Sequence, residues 1–143
     1  MPTRKKRGGG ASQYSVQFAG VEAKGNLRKR VNTISAPNIS FFAEPPDELY
    51  TVVLWDPDSP NPSYLHWLVI NIPGEKVDAG QVLVPYKPPT PPSGVHTYHV
   101  GLFVQKERLD FFAPGREDFD IDDFVAQYNL TRAGEKTIQV AHE

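Results

Sequence analysis

The 143-residue sequence contains no cysteine, which excludes disulfide bridges and metal sites built on thiolates. It also lacks a long hydrophobic run, because no apolar segment approaches the roughly 20 residues that a membrane-spanning helix requires. Residues 1–13 carry basic side chains with no apolar core after them, so they do not predict a secretory signal. We therefore expect a cytoplasmic protein without integral membrane association.

The formal net charge of −2 is small, but the charges are unevenly distributed. The first thirty residues carry eight Lys or Arg against one Glu, whereas residues 107–123 carry seven acids against two Arg. Residues 4–7 are all basic and three glycines follow them, which predicts a flexible basic arm over residues 1–13. This arm is interpreted as a solubilising tail, with a nuclear-import signal or a contact to acidic lipid or nucleic acid as alternatives. Nucleic acid is not expected as a partner, because a role in binding it would rest on this arm alone.

Short apolar runs separated by turn residues are typical of a strand-rich fold, and fourteen prolines and eleven glycines supply the turns. Alternating apolar and polar residues predict half-buried strands, and continuous runs of β-branched and aromatic residues predict strands covered on both faces. By these patterns we expect strands at 14–18, 38–42, 50–55, 66–72, 81–84 and 97–105.

One amphipathic helix is expected near the end of the chain, where apolar residues recur at three- and four-residue spacing. Its apolar stripe comprises Ile121, Phe124, Val125 and Tyr128. Neither an internal repeat nor a long linker divides residues 14–143, which are expected to form a single domain. The sequence thus predicts an antiparallel β-sandwich with a peripheral C-terminal helix.

Two proline-rich loops combine a rigid backbone with polar side chains that could face a shared space. Residues 56–60 follow a predicted buried strand, and residues 91–98 lead into another. His66 begins an apolar strand between them, and a buried imidazole needs a polar partner, for which Asp56 is the natural candidate. The structural alternative is that Asp56 forms an ordinary Asx turn and His66 is a satisfied structural residue. Composition alone leaves both interpretations open.

Four segments, in the right order, resemble the phosphatidylethanolamine-binding protein family, also called Raf kinase inhibitor proteins. The run 49–60, with its Asp-Pro-Asp-Ser-Pro core, resembles the first family signature, and residues 66–71 resemble the strand that follows it. Residues 94–98, Gly-Val-His-Thr-Tyr after a Pro-Pro pair, resemble the second signature, Gly-x-His-Arg-Tyr. Residues 116–130 fit the C-terminal pattern, so the resemblance extends from about residue 14 to residue 130.

This resemblance implies a Greek-key β-sandwich with a small anion pocket at one end and no catalytic residues. The implied role is binding a phospholipid headgroup or another small anion and regulating a kinase or other signalling protein. Weak, pH-dependent binding is expected, because neither motif contains Lys or Arg. The resemblance also implies a cis peptide bond before Pro60. By position the pocket residues are Asp56, His66, His96, Tyr98, Pro91 and Pro92, with Tyr64 at the rim.

The sequence departs from the family pattern within the second signature. Thr97 stands where the family has Arg, Thr90 stands where it has Gly, and the segment from Pro92 to His96 is shorter than in the family. These changes concern ligand preference more than the fold, because an arginine could brace the first loop and a glycine lets the backbone approach an anion.

Three alternatives remain open at this point. The pocket could be vestigial, with function residing in surface contacts to other proteins. A hydrolase would need Ser63 or Ser93 as nucleophile, although the sequence contains no Gly-x-Ser-x-Gly elbow. A metal site could use Asp56, His66 and His96, since two His and one carboxylate suit zinc or iron. We expect no metal and no cofactor.

Overall fold

The computed structural model describes residues 10–44, 47–58, 63–112 and 114–142, which form two β-sheets and one α-helix. The helix, α1, covers Ile121–Gln127, and short 3-10 helices cover Arg30–Thr33 and Val77–Ala79. In chain order the strands are β1 (Gly10–Phe18), β2 (Val21–Glu22), β3 (Leu27–Arg28), β4 (Asn38–Glu44), β5 (Leu49–Asp56), β6 (Tyr64–Pro73), β7 (Gln81–Val84), β8 (Val95–Gln105) and β9 (Thr131–Ala141).

The strand order confirms the predicted Greek-key sandwich. The smaller sheet has the order β2-β1-β4, and the larger one has the order β3-β9-β8-β5-β6-β7. Strands β5, β6 and β7 are consecutive antiparallel neighbours, and β8 returns to lie beside β5, which is the Greek-key arrangement. Among the described strands, only the two-residue pairing of β3 with β9 is parallel.

The larger sheet is buried on both faces, which explains the continuous apolar runs of its central strands. On one face, Tyr50, Val52 and Leu54 of β5 pack against the smaller sheet. On the other face, Val53 and Trp55 pack beneath α1 and the segments around it. Because successive side chains of a strand point to opposite faces, β5 contributes to both apolar layers.

The helix prediction is confirmed. Asp120 is the N-cap, and its carboxylate accepts hydrogen bonds from the backbone N–H groups of Asp122 at 2.9 Å and Asp123 at 3.0 Å. The side chain of Phe124 is buried against the outer face of the larger sheet, and that of Phe119 docks in the same apolar layer. Within the described residues, no helix has the length and apolar character needed to cross a membrane.

Each predicted strand occurs, but most extend a few residues beyond the predicted bounds, and β2, β3 and the long β9 were not predicted. Strand β1 begins at Gly10 and pairs with β4 from that residue onward, so residues 10–13 belong to the sheet rather than to a flexible arm. The rest of the predicted arm, residues 1–9, lies outside the described residues. Strand β8 begins at Val95, and strand β9, which pairs with β8 over most of its length, was not expected from the sequence.

Candidate functional site

Three neighbouring strands bring the predicted site residues to one end of the larger sheet. Asp56 ends β5 and pairs with Tyr64 at the start of β6, while β8 begins beside them on the other side of β5. The seven predicted residues line one open cleft of about 340 Å³. The complete lining is Asp56, Tyr64, His66, Lys87, Thr90, Pro91, Pro92, His96, Tyr98 and Glu117.

Asp56 is 3% exposed and uses its two carboxylate oxygens differently. Oδ2 accepts a hydrogen bond of 2.7 Å from Nδ1 of His96, and Oδ1 accepts one of 2.8 Å from the backbone N–H of Asp58. The Asx turn and the pairing with an imidazole, proposed as alternatives, are therefore both present. Because an ionised carboxylate only accepts, the pair fixes the proton of His96 on Nδ1 and leaves Nε2 for other contacts.

The expected pairing of His66 with Asp56 is wrong. Nδ1 of His66 lies 2.7 Å from the carbonyl oxygen of Lys87, and the backbone N–H of Lys87 donates to the His66 carbonyl oxygen at 2.9 Å. The proline-rich segment after β7, residues 85–92, runs beside β6 and supplies the hydrogen-bond partner of His66. The sequence pattern predicts Asp56 in this role. Since a carbonyl only accepts, Nδ1 of His66 carries the proton.

Burial keeps His66 uncharged at neutral pH. The side chain is 4% exposed, and this desolvation lowers the pKa of His66 to about 4. The Lys87 carbonyl bond and the nearby Asp56 carboxylate oppose the decrease but do not cancel it. His66 therefore presents an imidazole whose Nε2 accepts hydrogen bonds rather than donates them.

Tyr98 packs between the two histidines. Its ring centroid lies 5.3 Å from that of His66 and 6.2 Å from that of His96. Burial raises the pKa of Tyr98, and the charge of Asp56 and a side-chain hydrogen bond with Asp56 raise it further. The phenol therefore stays protonated and its hydroxyl interacts with Asp56, so Tyr98 positions the Asp56 carboxylate.

Lys87 is a cleft residue that sequence reasoning missed. Its Nζ donates to the hydroxyl oxygen of Tyr64 at 2.9 Å and lies 5.1 Å from the centroid of the same ring. The two sequence signatures contain no cation, but the proline-rich segment brings this ammonium to the rim. Lys87 lies among the five prolines of residues 85–92. This segment has neither strand nor helix periodicity, so the sequence does not indicate where the Lys87 side chain points.

Arg116 does not line the cleft but stabilises the wall behind it. Its guanidinium donates to the carbonyl oxygens of Leu65 at 3.0 Å, His66 at 3.1 Å and Pro85 at 2.8 Å. These bonds join the segment before α1 to β6 and to the proline-rich segment. This connection holds the proline-rich segment against β6, where Lys87 also bonds directly to His66.

The start of β8 is tied to the loop after β5 through the main chain of Thr97, which stands where the family pattern has arginine. The backbone N–H of Thr97 donates to Oδ2 of Asp58 at 2.9 Å, which ties the loop after β5 to the start of β8. A backbone donor is available whichever side chain occupies position 97, so this brace does not require arginine.

The residues proposed for the catalytic and metal alternatives do not assemble into such sites. Neither Ser63 nor Ser93 lines the cleft, and Ser93 is exposed in the turn before β8. Within the described ranges, no group of three or more His, Asp or Glu side chains has the geometry to hold a metal ion. The predicted cis bond before Pro60 lies outside the described residues.

Comparisons with known proteins agree with this architecture. The family model described as phosphatidylethanolamine-binding protein matches residues 13–139. Protein TWIN SISTER of FT from Arabidopsis thaliana is 45% identical over 89 residues, covering 57% of this chain and 51% of that protein. Protein TERMINAL FLOWER 1, also from Arabidopsis thaliana, is 37% identical over 106 residues, covering 67% of this chain and 59% of that protein. The matched part is less than two thirds of either relative.

Two solved structures show the same fold at low sequence identity. A carboxypeptidase Y inhibitor, solved with its cognate proteinase, has a TM-score of 0.80 and 17% identity, covering 97% of this chain and 86% of the inhibitor. A phosphatidylethanolamine-binding protein from Plasmodium vivax has a TM-score of 0.76 and 22% identity, covering 91% and 85% of the two chains. The fold, the match over residues 13–139 and the sequence signatures lead to one conclusion: the chain belongs to the phosphatidylethanolamine-binding protein family.

Proposed function

We propose that this chain is a non-catalytic, regulatory binding protein whose cleft holds a small anion, in the first instance the phosphate of a phospholipid headgroup. The observation that carries the proposal is the meeting of the Lys87 ammonium with two imidazoles in one open cleft. In the described contacts, both imidazoles use Nδ1 for protein partners, so both Nε2 atoms remain for a ligand.

The charges and donors of the cleft favour a ligand with an anionic and a hydrogen-donating end. Lys87 donates to phosphate oxygens, and so would His96 once it is protonated at Nε2. Neutral His66 accepts instead, which suits an ammonium or a hydroxyl group. Phosphoethanolamine carries both ends, so it is the soluble probe that fits this arrangement best.

The regulatory part of the proposal concerns protein partners. A carboxypeptidase Y inhibitor with the same fold was solved bound to its cognate proteinase, which supports a partner-binding role for this architecture. We propose that a kinase, a protease or another signalling protein is bound by this chain in the cytoplasm, and that occupancy of the cleft modulates the contact.

Titration of the labelled protein with inorganic phosphate and with phosphoethanolamine, followed by NMR, tests the cleft. We expect saturable shifts at His66, His96 and Tyr98, with dissociation constants on the order of micromolar to millimolar. His99 is the internal control, because it also pairs with a carboxylate, Glu135 at 2.6 Å, but stacks on Trp55 on the opposite face of β8.

A charge variant sharpens the test. Lys87→Gln should weaken phosphate binding about fivefold, since one surface charge interaction contributes about 1 kcal/mol or less. Lys106→Gln removes another exposed lysine, beyond the other end of β8, and should leave the affinity unchanged. Shifts confined to residues outside the cleft would contradict the proposal and favour function through surface contacts alone.

A further inference from the structure

The segment between Glu22 and Glu44 contains no acidic residue but four cations. Arg28 is buried, and its guanidinium donates to the Phe18 carbonyl oxygen at 2.8 Å, so it serves the fold. Lys24, Lys29 and Arg30 are exposed. In a chain with a net charge of −2, this segment is a local basic region.

The 3-10 helix in this segment directs aliphatic side chains into solvent. Val31 is 65% exposed and Ile34 is 59% exposed. A 3-10 helix has about three residues per turn, so two side chains three positions apart lie on the same side. Thr33, by contrast, is buried and its hydroxyl donates to the Arg30 carbonyl oxygen at 3.0 Å. We refer to Lys29, Arg30, Val31 and Ile34 as the aliphatic–basic turn.

Hydrogen bonds connect the aliphatic–basic turn to the edge of the cleft. Nη1 of Arg30 donates to the carbonyl oxygen of His142 at 3.0 Å. The imidazole Nδ1 of His142 donates to the Pro91 carbonyl oxygen at 3.0 Å, and its backbone N–H donates to that of Gly94 at 2.8 Å. Pro91 lines the cleft, so these bonds link the turn to the edge of the cleft.

Further contacts hold the turn in this position. The hydroxyl of Tyr86 donates to the Thr33 carbonyl oxygen at 2.5 Å, and Tyr86 precedes Lys87 in the proline-rich segment. On the strand that begins at the cleft, Val95 is a further aliphatic side chain, 51% exposed. The cleft is therefore flanked by exposed aliphatic groups and by cations.

We propose that the aliphatic–basic turn docks this protein onto an anionic lipid bilayer, with the cleft facing the same surface. Val31 and Ile34 enter the boundary between headgroups and acyl chains, and Lys29 and Arg30 contact lipid phosphates. The inference rests on the proposed function, because the cleft then takes a headgroup from the surface on which the turn lies. Charge complementarity selects this occupant, since an acid-free segment with exposed aliphatics matches an anionic, amphipathic surface.

Sedimentation of the full chain with vesicles tests the proposal. Vesicles of phosphatidylethanolamine with phosphatidylserine should bind the protein, and phosphatidylcholine vesicles should bind it far less. The double variant Val31→Ser/Ile34→Ser should reduce partitioning about tenfold through the lost aliphatic burial. Lys29→Gln should reduce partitioning about fivefold. Raising the salt concentration should also reduce the vesicle binding of the wild-type protein.

Matched controls come from the opposite end of the larger sheet. Phe111→Ser removes a side chain that is 70% exposed, and Lys106→Gln removes an exposed cation. Neither should alter vesicle binding. Equal losses in these controls, or no sedimentation with anionic vesicles, would overturn the proposal, and the second result would redirect the turn to a protein partner.

The phosphoethanolamine titration separates this inference from the proposed function. If the turn variants keep cleft binding of the soluble headgroup but lose vesicle binding, both proposals are supported. If the headgroup binds the cleft while vesicle binding is absent or unaffected by the turn variants, only the docking proposal is overturned. If the soluble headgroup fails to bind but vesicles still bind through the turn, only the cleft proposal fails.

Discussion

The same three strands, β5, β6 and β8, carry a polar cluster at each of their ends, and the two clusters differ in kind. At the end away from the cleft, Gln105 Oε1 accepts from the Thr51 hydroxyl at 2.6 Å and from the Asn71 backbone N–H at 2.8 Å. Gln105 Nε2 donates to Asn71 Oδ1 at 2.9 Å, and Asn71 exchanges two further bonds of 2.9 Å with the backbone of Leu109. All these side chains are neutral and buried.

At the cleft end, the corresponding groups are titratable and only partly engaged. Asp56, His66 and His96 use some of their polar atoms for the protein and leave imidazole nitrogens facing no described partner. A fully satisfied neutral network stabilises and specifies the fold. The partly engaged cluster at the cleft end adds pH dependence through His66 and leaves imidazole nitrogens available to the ligand that we propose for it.

The largest expected effect is a loss of stability when the neutral network of Thr51, Asn71 and Gln105 is broken. Gln105→Leu would leave the Thr51 hydroxyl and the Asn71 backbone N–H without partners and remove one of the two donors to Asn71 Oδ1. These losses should lower the free energy of unfolding by about 4 kcal/mol. Urea denaturation measures this loss. Gln139→Leu, on an exposed position of β9, should change stability by less than about 0.5 kcal/mol. Equal losses in the two variants would break the contrast between the ends.

The second-largest effect concerns the cleft end and is the pH dependence of stability that His66 causes. The pKa of folded His66 is lowered to about 4, below the ordinary value of 6.5, so the unfolded chain takes up the proton first as pH falls. The free energy of unfolding should therefore fall progressively as the pH is lowered from 6.5 to about 4, and His66 should account for roughly 3 kcal/mol of this loss. Unfolding measured across this range should show a shallower pH dependence in His66→Gln.

The neutral network serves as the control for this pH effect. Gln105→Leu should retain the wild-type slope between pH 6.5 and 4 although its stability is lower throughout, because no group of that network titrates. A His66→Gln variant with the same slope as the wild type would show that the pH dependence arises elsewhere.

The smallest effect compares two histidine–carboxylate pairs on β8. His96→Ala removes the ring partner of a carboxylate that is 3% exposed, and should lower the free energy of unfolding by about 2 kcal/mol. His99→Ala removes the partner of Glu135, whose side chain is 38% exposed, and should cost about 1 kcal/mol or less. Thermal unfolding of the two variants at pH 7 measures the difference, and a reversed order would contradict the role of burial.

The central strands could be predicted from sequence because burial on both faces leaves an unbroken apolar signal. Strand β9 could not, since only Ile138 and Val140 of its eleven residues are buried apolar side chains. In the sequence, Gly134 of this strand suggests a turn. In the sheet it leaves room for the ring of Tyr14, since an added Cβ would lie 2.7 Å from Cδ2 of that ring. This strand forms through contacts that no local pattern contains.

The cleft was predictable where family signatures fall on strand ends and unpredictable where the proline-rich segment contributes. Asp56 and His96 were expected in one pocket, and their pairing at 2.7 Å follows from adjacent strands. The partner of His66, the ammonium of Lys87 and the brace of Arg116 depend on where a segment without periodicity crosses β6. Local pattern does not determine such a path, so these contacts required the structure.

The parallel pairing of Leu27 with Gln139 and the bond between Arg30 and His142 have a kinetic consequence. The latter two residues are 112 positions apart, so an early segment of the chain reaches its final position only after the last strand has been made. Contacts of such long range close large loops and slow the folding reaction. We therefore expect the aliphatic–basic turn to lack its Arg30–His142 bond on a nascent chain and to gain it late, after translation of β9.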